Sequence, residues 1–400
     1  MRLISQYLAR HNIGSSSWLA RAWLLCCLLP VLALAESLPT PESFALQNRP
    51  FMPATGSIKA VMLFIDFSSL PSGLQTTEAS AASLLGNGRF NSFIYQQSQG
   101  RVAINVDVIN GWRRMPLPVE TYKKKEGGAF VNLNTLLMFI KDIRRLFHDI
   151  DFANYPIVYI VAPNSKDYRR SQTAPHSALK QWLGKRSGES LGKLRNIVSI
   201  GGSAQSQRRP WLSLAHETMH VFGLPDLYND DRPSGKPWRI VWDLMEDAYR
   251  ANGFVGWHSY MLKWLRPERV VMPSIGSRRE YLLTPPTSGA GVSMLLLPLN
   301  KRPQKYLAIE VATPITPLHA FEGTKPWGSG VLAYSITRLK GKERWQLDIY
   351  PTPGDSGARK DYFTSPQQVG GSFSDPAGRF RVRVNGRVGD AWRVEVARNR

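Results

Sequence analysis

Leu214-Ala215-His216-Glu217-Thr218-Met219-His220-Val221-Phe222-Gly223-Leu224-Pro225-Asp226-Leu227-Tyr228 reads as one helix and the sharp turn that ends it. His216 and His220 are four apart, so on a helix their imidazoles share one face a turn apart, the spacing at which two ring nitrogens grip one ion. Zinc suits that donor set, because it takes imidazole nitrogen and carboxylate oxygen tetrahedrally and keeps a fourth position open for water in catalytic sites. Glu217 points off the ligand face, where it can accept a proton from that water as general base. Gly223 is the residue type that ends a helix in the left-handed region, and Pro225 keeps the helix from resuming. The turn can bring Asp226 round as third ligand, completing H-E-x-x-H-x-x-G-x-x-D. Glu246, further along, competes with Asp226 for that place. The bland alternative is a solvated amphipathic helix with an aspartate in an ordinary turn.

Working downstream, Asn229, Asp230 and Asp231 read as a polar turn, with calcium as the alternative occupant of those acids. Met245, in Val241-Trp242-Asp243-Leu244-Met245-Glu246-Asp247, would pack a soft thioether beneath the ligands if it sits in a tight turn there, with an ordinary core methionine as the alternative. Trp257, Tyr260, Leu262 and Leu265 continue as an amphipathic helix ending at Arg266-Pro267. His258 and Tyr249 are candidate hydrogen-bond donors to a transition-state oxyanion. Beyond Pro267 come seven short alternating runs, Tyr281–Leu283, Met294–Leu299, Tyr306–Val311, Gly330–Ile336, Trp345–Tyr350, Phe380–Val384 and Trp392–Val396, which suggest a β-sandwich.

Upstream, the apolar run Ile58–Phe67 suits a strand buried on both faces. Glu78–Leu85 and Phe90–Gln97 look helical, and Val102–Ile109 alternates as a strand closed by Gly111-Trp112. Asn134 can cap a helix whose apolar positions Leu137, Ile140, Ile143, Leu146 and Phe147 recur at helical spacing. Ile157–Val161 and Asn196–Ile200 are further buried strands. The second of these would flank the cleft and offer a free edge to an extended peptide. Asp167–Arg195 reads as a polar surface excursion, with His148 and His176 as surface or satisfied histidines.

The 400 residues are 43% hydrophobic and 20% charged, ordinary for a globular protein with no indication of disorder, and the chain is long enough for two domains. Arg2, Arg10 and Arg21 lead into the apolar run Trp23–Leu34 and Ala33-Leu34-Ala35, the pattern of an export signal cleaved after Ala35. That run is too short to span a bilayer comfortably, although an uncleaved anchor is the alternative, and no other stretch is long enough. Cys26 and Cys27 both fall within it, so the mature chain would carry no disulfide. Removing those three arginines from the formal net charge of +21 leaves +18, a balance that draws a protein to anionic surfaces or polymers. The arginines are scattered between Trp112 and Arg400, which reads as a diffusely basic surface, and no specific nucleic-acid module is recognisable.

The stretch His216–Tyr228, with Trp242-Asp243-Leu244-Met245, Gly256-Trp257 and Lys263-Trp264-Leu265, resembles the immune inhibitor A type of secreted zinc metallopeptidase, relatives of the metzincins. The likeness extends through Ile58–Phe67, Ser98-Gln99-Gly100-Arg101-Val102, Gly111-Trp112, Tyr306–Glu310 and Gly328–Ile336, and so covers most of the mature chain. It implies an α+β fold with a metzincin-like mixed α/β zinc-peptidase domain followed by a β-sandwich domain, and endopeptidase cleavage of proteins outside the cytoplasm. His216 and His220 carry over as ligands, Glu217 as base and Met245 as the methionine of the turn below the metal. Calcium is likewise implied by resemblance. One departure stands out: members place a ligand glutamate directly after the aspartate, whereas this chain has Leu227, which leaves Asp226 to serve.

The expected organisation is a signal peptide at 1–35, a linker or short pro-segment at 36–56, a metallopeptidase domain at 57–267 and a β-sandwich domain at 268–400. The expected activity is that of a secreted or periplasmic zinc endopeptidase acting on protein or peptide substrates. Its alternative is a non-catalytic exported binding protein on the same scaffold that engages an anionic cell-envelope partner. The intact Glu217 argues against that alternative.

Overall fold

The apolar, β-branched run that starts near Gly56 becomes an interior strand of a mainly parallel sheet. The structure, a computed structural model, describes residues 38–39, 51–124, 128–130, 132–183, 191–228, 242–246, 248, 253–299, 305–312, 329–338, 345–349, 367–375 and 377–399. The export-signal reading of 1–35 and the calcium reading of Asn229–Asp231 lie outside these residues.

The first sheet has the order β2-β1-β3-β5-β4. Its strands are β1 (Gly56–Asp66), β2 (Val102–Arg114), β3 (Ile157–Val161), β4 (Gln172–Ala174) and β5 (Asn196–Ile200). The first three neighbours of this order and β5 run parallel, while β4 is antiparallel to β5. Alternation along β1 sends Ala60, Met62 and Phe64 to one core and Val61, Leu63 and Ile65 to the other. This two-faced burial is what a continuous apolar strand requires. Strand β2 does not close at Gly111-Trp112 but runs to Arg114, because a register shift opposite Phe64 absorbs Asn110–Trp112, with Gly111 at φ +100°.

Helices α1 (Thr77–Leu85), α2 (Arg89–Gln97), α6 (Gly202–Gln205) and α7 (Pro210–Val221) belong to one side of the sheet. Helices α3 (Val119–Tyr122), α4 (Leu133–Leu146) and α5 (His176–Leu183) belong to the other. The cap of α4 is Asn132, not Asn134: Asn132 Oδ1 accepts from Thr135 N at 3.0 Å, and Thr135 Oγ1 accepts from Asn132 N at 3.0 Å. This reciprocal pair moves the helix start two residues upstream of the expectation. Helix α8 (Gly256–Met261) ends four residues before Leu265, since Lys263 takes φ +61°, and its first five residues are all buried rather than amphipathic.

The second part of the chain gives a sheet of order β11-β10-β9-β8-β6 and one of order β12-β13-β14-β7. Their strands are β6 (Val270–Val271), β7 (Arg278–Leu283), β8 (Met294–Pro298), β9 (Lys305–Ala312), β10 (Gly330–Arg338), β11 (Trp345–Ile349), β12 (Ser372–Ser374), β13 (Phe380–Val388) and β14 (Ala391–Arg398). All seven expected runs are strands, joined by the short β6 and β12. The fold is therefore a mixed α+β arrangement of several sheets and few helices.

Residues 38–400 form one compact unit, and its core crosses Pro267. Tyr306, Ala308, Leu332 and Tyr334 share a cluster with Trp257, Met245 and the β1 residues. Their strand neighbours Leu307, Ile309, Val331 and Ala333 face the last sheet, where they meet Val382, Val394 and Val396. Described parts of the 36–56 segment are packed as well. Tyr260 donates to Pro39 O at 3.0 Å, and Trp264 Nε1 donates to Ala54 O at 2.9 Å. No described helix is long and apolar enough to cross a membrane.

Candidate metal centre

Pro210 occupies the first turn of α7, where its missing N–H costs nothing, and the helix then runs to Val221. Gly223 takes φ +98°, and Leu224 N donates to Met219 O at 3.1 Å, which folds the chain back under the helix. A Cβ at Gly223 would meet the Phe51 ring at 2.7 Å, so conformation and space both demand glycine there.

The turn delivers Asp226 to both imidazoles. Its Oδ1 lies 3.1 Å from His216 Nε2 and 3.3 Å from His220 Nε2. One ligand atom from each of the three residues lies within 4.8 Å of the others, and the group can hold a metal ion. The ring orientations are fixed from behind. His216 Nδ1 bonds Leu244 O at 2.9 Å, and His220 Nδ1 bonds Leu224 O at 2.7 Å. An Nδ1–H held by a carbonyl leaves the Nε2 lone pair free for a ligand bond, the usual arrangement of metal-binding histidines.

Electrostatics agrees with a site built for positive charge. Burial works against ionised Asp226, yet its hydrogen bonds to His216 and His220 hold the carboxyl well below the usual range. Burial likewise disfavours a charged His220, but Asp226 and then Glu217 outweigh it and push the imidazole up to about 9. The metal-free protein therefore keeps a proton on His220 at pH 7 that ion loading must remove. Loading a divalent ion at pH 7 should release close to one proton, and affinity should rise as pH climbs toward about 9. Calorimetry in buffers of differing ionisation enthalpy measures this, and an affinity flat across that range would show that the metal-free protein does not hold a proton on His220 at pH 7.

Glu217 is next to the first histidine and is not one of the grouped ligands. Thr173 Oγ1, from β4, lies 2.7 Å from its Oε2, to which it donates, and 2.9 Å from its carbonyl. Strand β4 itself is anchored by Lys123, buried to 1% exposure. Its ammonium donates to Gln172 Oε1 at 3.1 Å and lies 4.3 and 4.4 Å from the Phe130 and Tyr168 ring centres. Desolvation pushes this lysine down to about 7. The edge of the first sheet is thus β4, not β5, and Asp167–Arg195 is in part a working strand instead of a surface excursion.

Comparison with protein-family models and with curated proteins finds no match for this chain. What the group can do follows from its geometry.

Met245 is fully buried, and its carbonyl accepts from Leu227 N at 3.0 Å, tying the Asp226 loop to the 242–246 turn. Glu246 is buried at 3% exposure and does not join the two histidines, so Asp226 is the carboxylate that meets them. His258 is not placed to bond a substrate oxyanion. It is wholly buried, its Nδ1 pairs with Asp243 Oδ2 at 2.9 Å, and its Nε2 accepts from Trp345 Nε1 at 3.0 Å. Both nitrogens are spent inside the core. Tyr249 lies outside the described residues. The sequence reading missed Thr173 and Asp243, as well as Tyr228, whose ring stacks on His216 with centres 6.1 Å apart.

Proposed function

We propose that the chain is an exported zinc endopeptidase with a metzincin-like catalytic domain followed by a β-sandwich. The observation that carries this is the separation of the ligand atoms. Bonds of about 2.0–2.1 Å in a tetrahedron place donor atoms about 3.3 Å apart, and the Nε2 atoms of His216 and His220 lie 3.1 and 3.3 Å from Asp226 Oδ1.

Bound zinc supplies a Lewis acid that makes water acidic near neutral pH. Glu217, steadied by Thr173, accepts a proton from the attacking water and returns it to the leaving nitrogen. An extended substrate pairs with the outer edge of β4, which has no other strand against it among the described residues. Holding Glu217 from the same strand keeps base and scissile bond in register.

The test is zinc content and casein cleavage of the chain beginning at Glu36, beside Asp226→Ala. One zinc per chain and cleavage are expected for the wild type, with zinc lost in Asp226→Ala. Cleavage that persists after metal stripping would sink the zinc mechanism, whereas a wild type with neither zinc nor cleavage would favour the exported binding protein.

A further inference from the structure

The outward face of the β12-β13-β14-β7 sheet plays no part in the site above. Inward residues Phe373, Phe380, Val382, Trp392, Val394 and Val396 fill the core, so their alternates must face away from it. Those alternates carry four arginines, Arg278, Arg381, Arg383 and Arg393, against two acids, Glu280 and Glu395. Cross-strand register sets Ser374 opposite Arg381 and Ser372 opposite Arg383. Arg278, Arg381, Arg383, both serines and Asn399 line one open groove.

Four guanidinium groups on or beside this sheet are already neutralised. Arg379 pairs with Asp375, Arg387 with Asp390, Arg393 with Glu280, and Arg278 with Glu395 at 3.1 Å. Arg381 and Arg383 are exposed and form no ion pair among the described residues; Glu395, opposite Arg383 in register, is the carboxylate that Arg278 takes. Arg381 and Arg383 sit two residues apart on one strand, about 7 Å, so the groove repeats a guanidinium beside a hydroxyl. A guanidinium fork suits sulfate, phosphate or carboxylate oxygens, and a serine hydroxyl suits a sugar hydroxyl.

We propose that this face binds an anionic polysaccharide. A repeating ligand matches the repeated Ser–Arg pairs. Single-stranded nucleic acid fits worse, because its binding platforms stack bases on exposed aromatic rings, and Phe373, Phe380 and Trp392 all point inward. The proposal does not depend on the metal or on the peptidase reading.

Heparin is the probe, with affinity measured against salt for the wild type, Arg381→Ala/Arg383→Ala, and the charge-matched control Lys59→Ala/Lys141→Ala. Both pairs are exposed, so folding is checked by an unchanged thermal melt. Loss of the arginines should weaken binding about tenfold, the combined worth of two exposed ion pairs. It should also lower the slope of log Kd against log salt by about two, while the lysine control leaves heparin affinity within twofold. Equal losses in the two doubles would mean that net charge alone attracts the polymer and would overturn the site. Single-stranded DNA or phosphatidylglycerol vesicles binding as tightly as heparin, with the same dependence on Arg381 and Arg383, would overturn the ligand class.

Discussion

On the proposed mechanism, Glu217→Ala is expected to retain metal while peptide hydrolysis falls roughly 10²–10⁴-fold, the usual worth of a positioned general base. The expectation rests on a division of labour within one helical turn. His216 and His220 turn their Nε2 atoms to Asp226, whereas the Glu217 carboxylate is held by the Thr173 hydroxyl at 2.7 Å and lies outside the ligand group. Removing it leaves the ligands and their supporting carbonyls intact. Thr173→Val should lower the rate in the same direction but less, because the base remains and only its anchor is lost. Metal content by atomic emission, read beside single-turnover cleavage of a casein-derived peptide, separates the roles. A Glu217→Ala protein that loses metal in proportion to activity would make Glu217 a ligand, and one that keeps full activity would remove it from the chemistry.

The meeting of His216, His220 and Asp226 was legible because the three fall within eleven consecutive residues and local rules alone bring them together. Helical spacing aligns His216 with His220, and Gly223 turns the chain at φ +98°. The long apolar strands were legible for a similar reason, since β3 and β5 have the bounds the sequence suggests. Strand β4 was not. It has three residues, Gln172–Ala174, too few and too polar to show a period, and its place is fixed by pairing to β5 and by Lys123 from a distant loop. Helix α4 shows a finer failure: two asparagines lie at its start, and only the Thr135 hydroxyl, reaching back, selects Asn132. His258 reads as a functional histidine by type, but its role is decided by Trp345, 87 residues away. Long-range burial of that kind leaves no mark on local sequence.

Asp243→Ala should be the most destabilising single change around the site, although Asp243 touches no ligand directly. Its carboxylate is fully buried and accepts three hydrogen bonds, from Met245 N at 2.8 Å, Val255 N at 2.9 Å and His258 Nδ1 at 2.9 Å. Truncation leaves two backbone N–H groups and an imidazole without their acceptor, and each orphaned buried donor costs about 1–3 kcal/mol. A net loss of roughly 3–5 kcal/mol follows, comparable with breaking a buried ion pair. The same carboxylate sets the 242–246 turn, whose Leu244 carbonyl orients His216 and whose Met245 carbonyl holds the Asp226 loop. Metal affinity should therefore fall roughly 10–100-fold, the usual effect of losing a group that orients a ligand histidine. The cause reaches across the chain, since His258 is itself fixed by Trp345 of β11 and the N-terminus of α8 by Glu310 of β9, which accepts from Gly256 N at 2.7 Å. Asp243→Asn, which keeps the shape and one acceptor oxygen, should lie between wild type and alanine in both readouts. Urea unfolding of the metal-free proteins measures the stability, and competition with a chelating dye measures the affinity. If Asp243→Ala unfolds at the wild-type midpoint, the carboxylate does not hold this turn together.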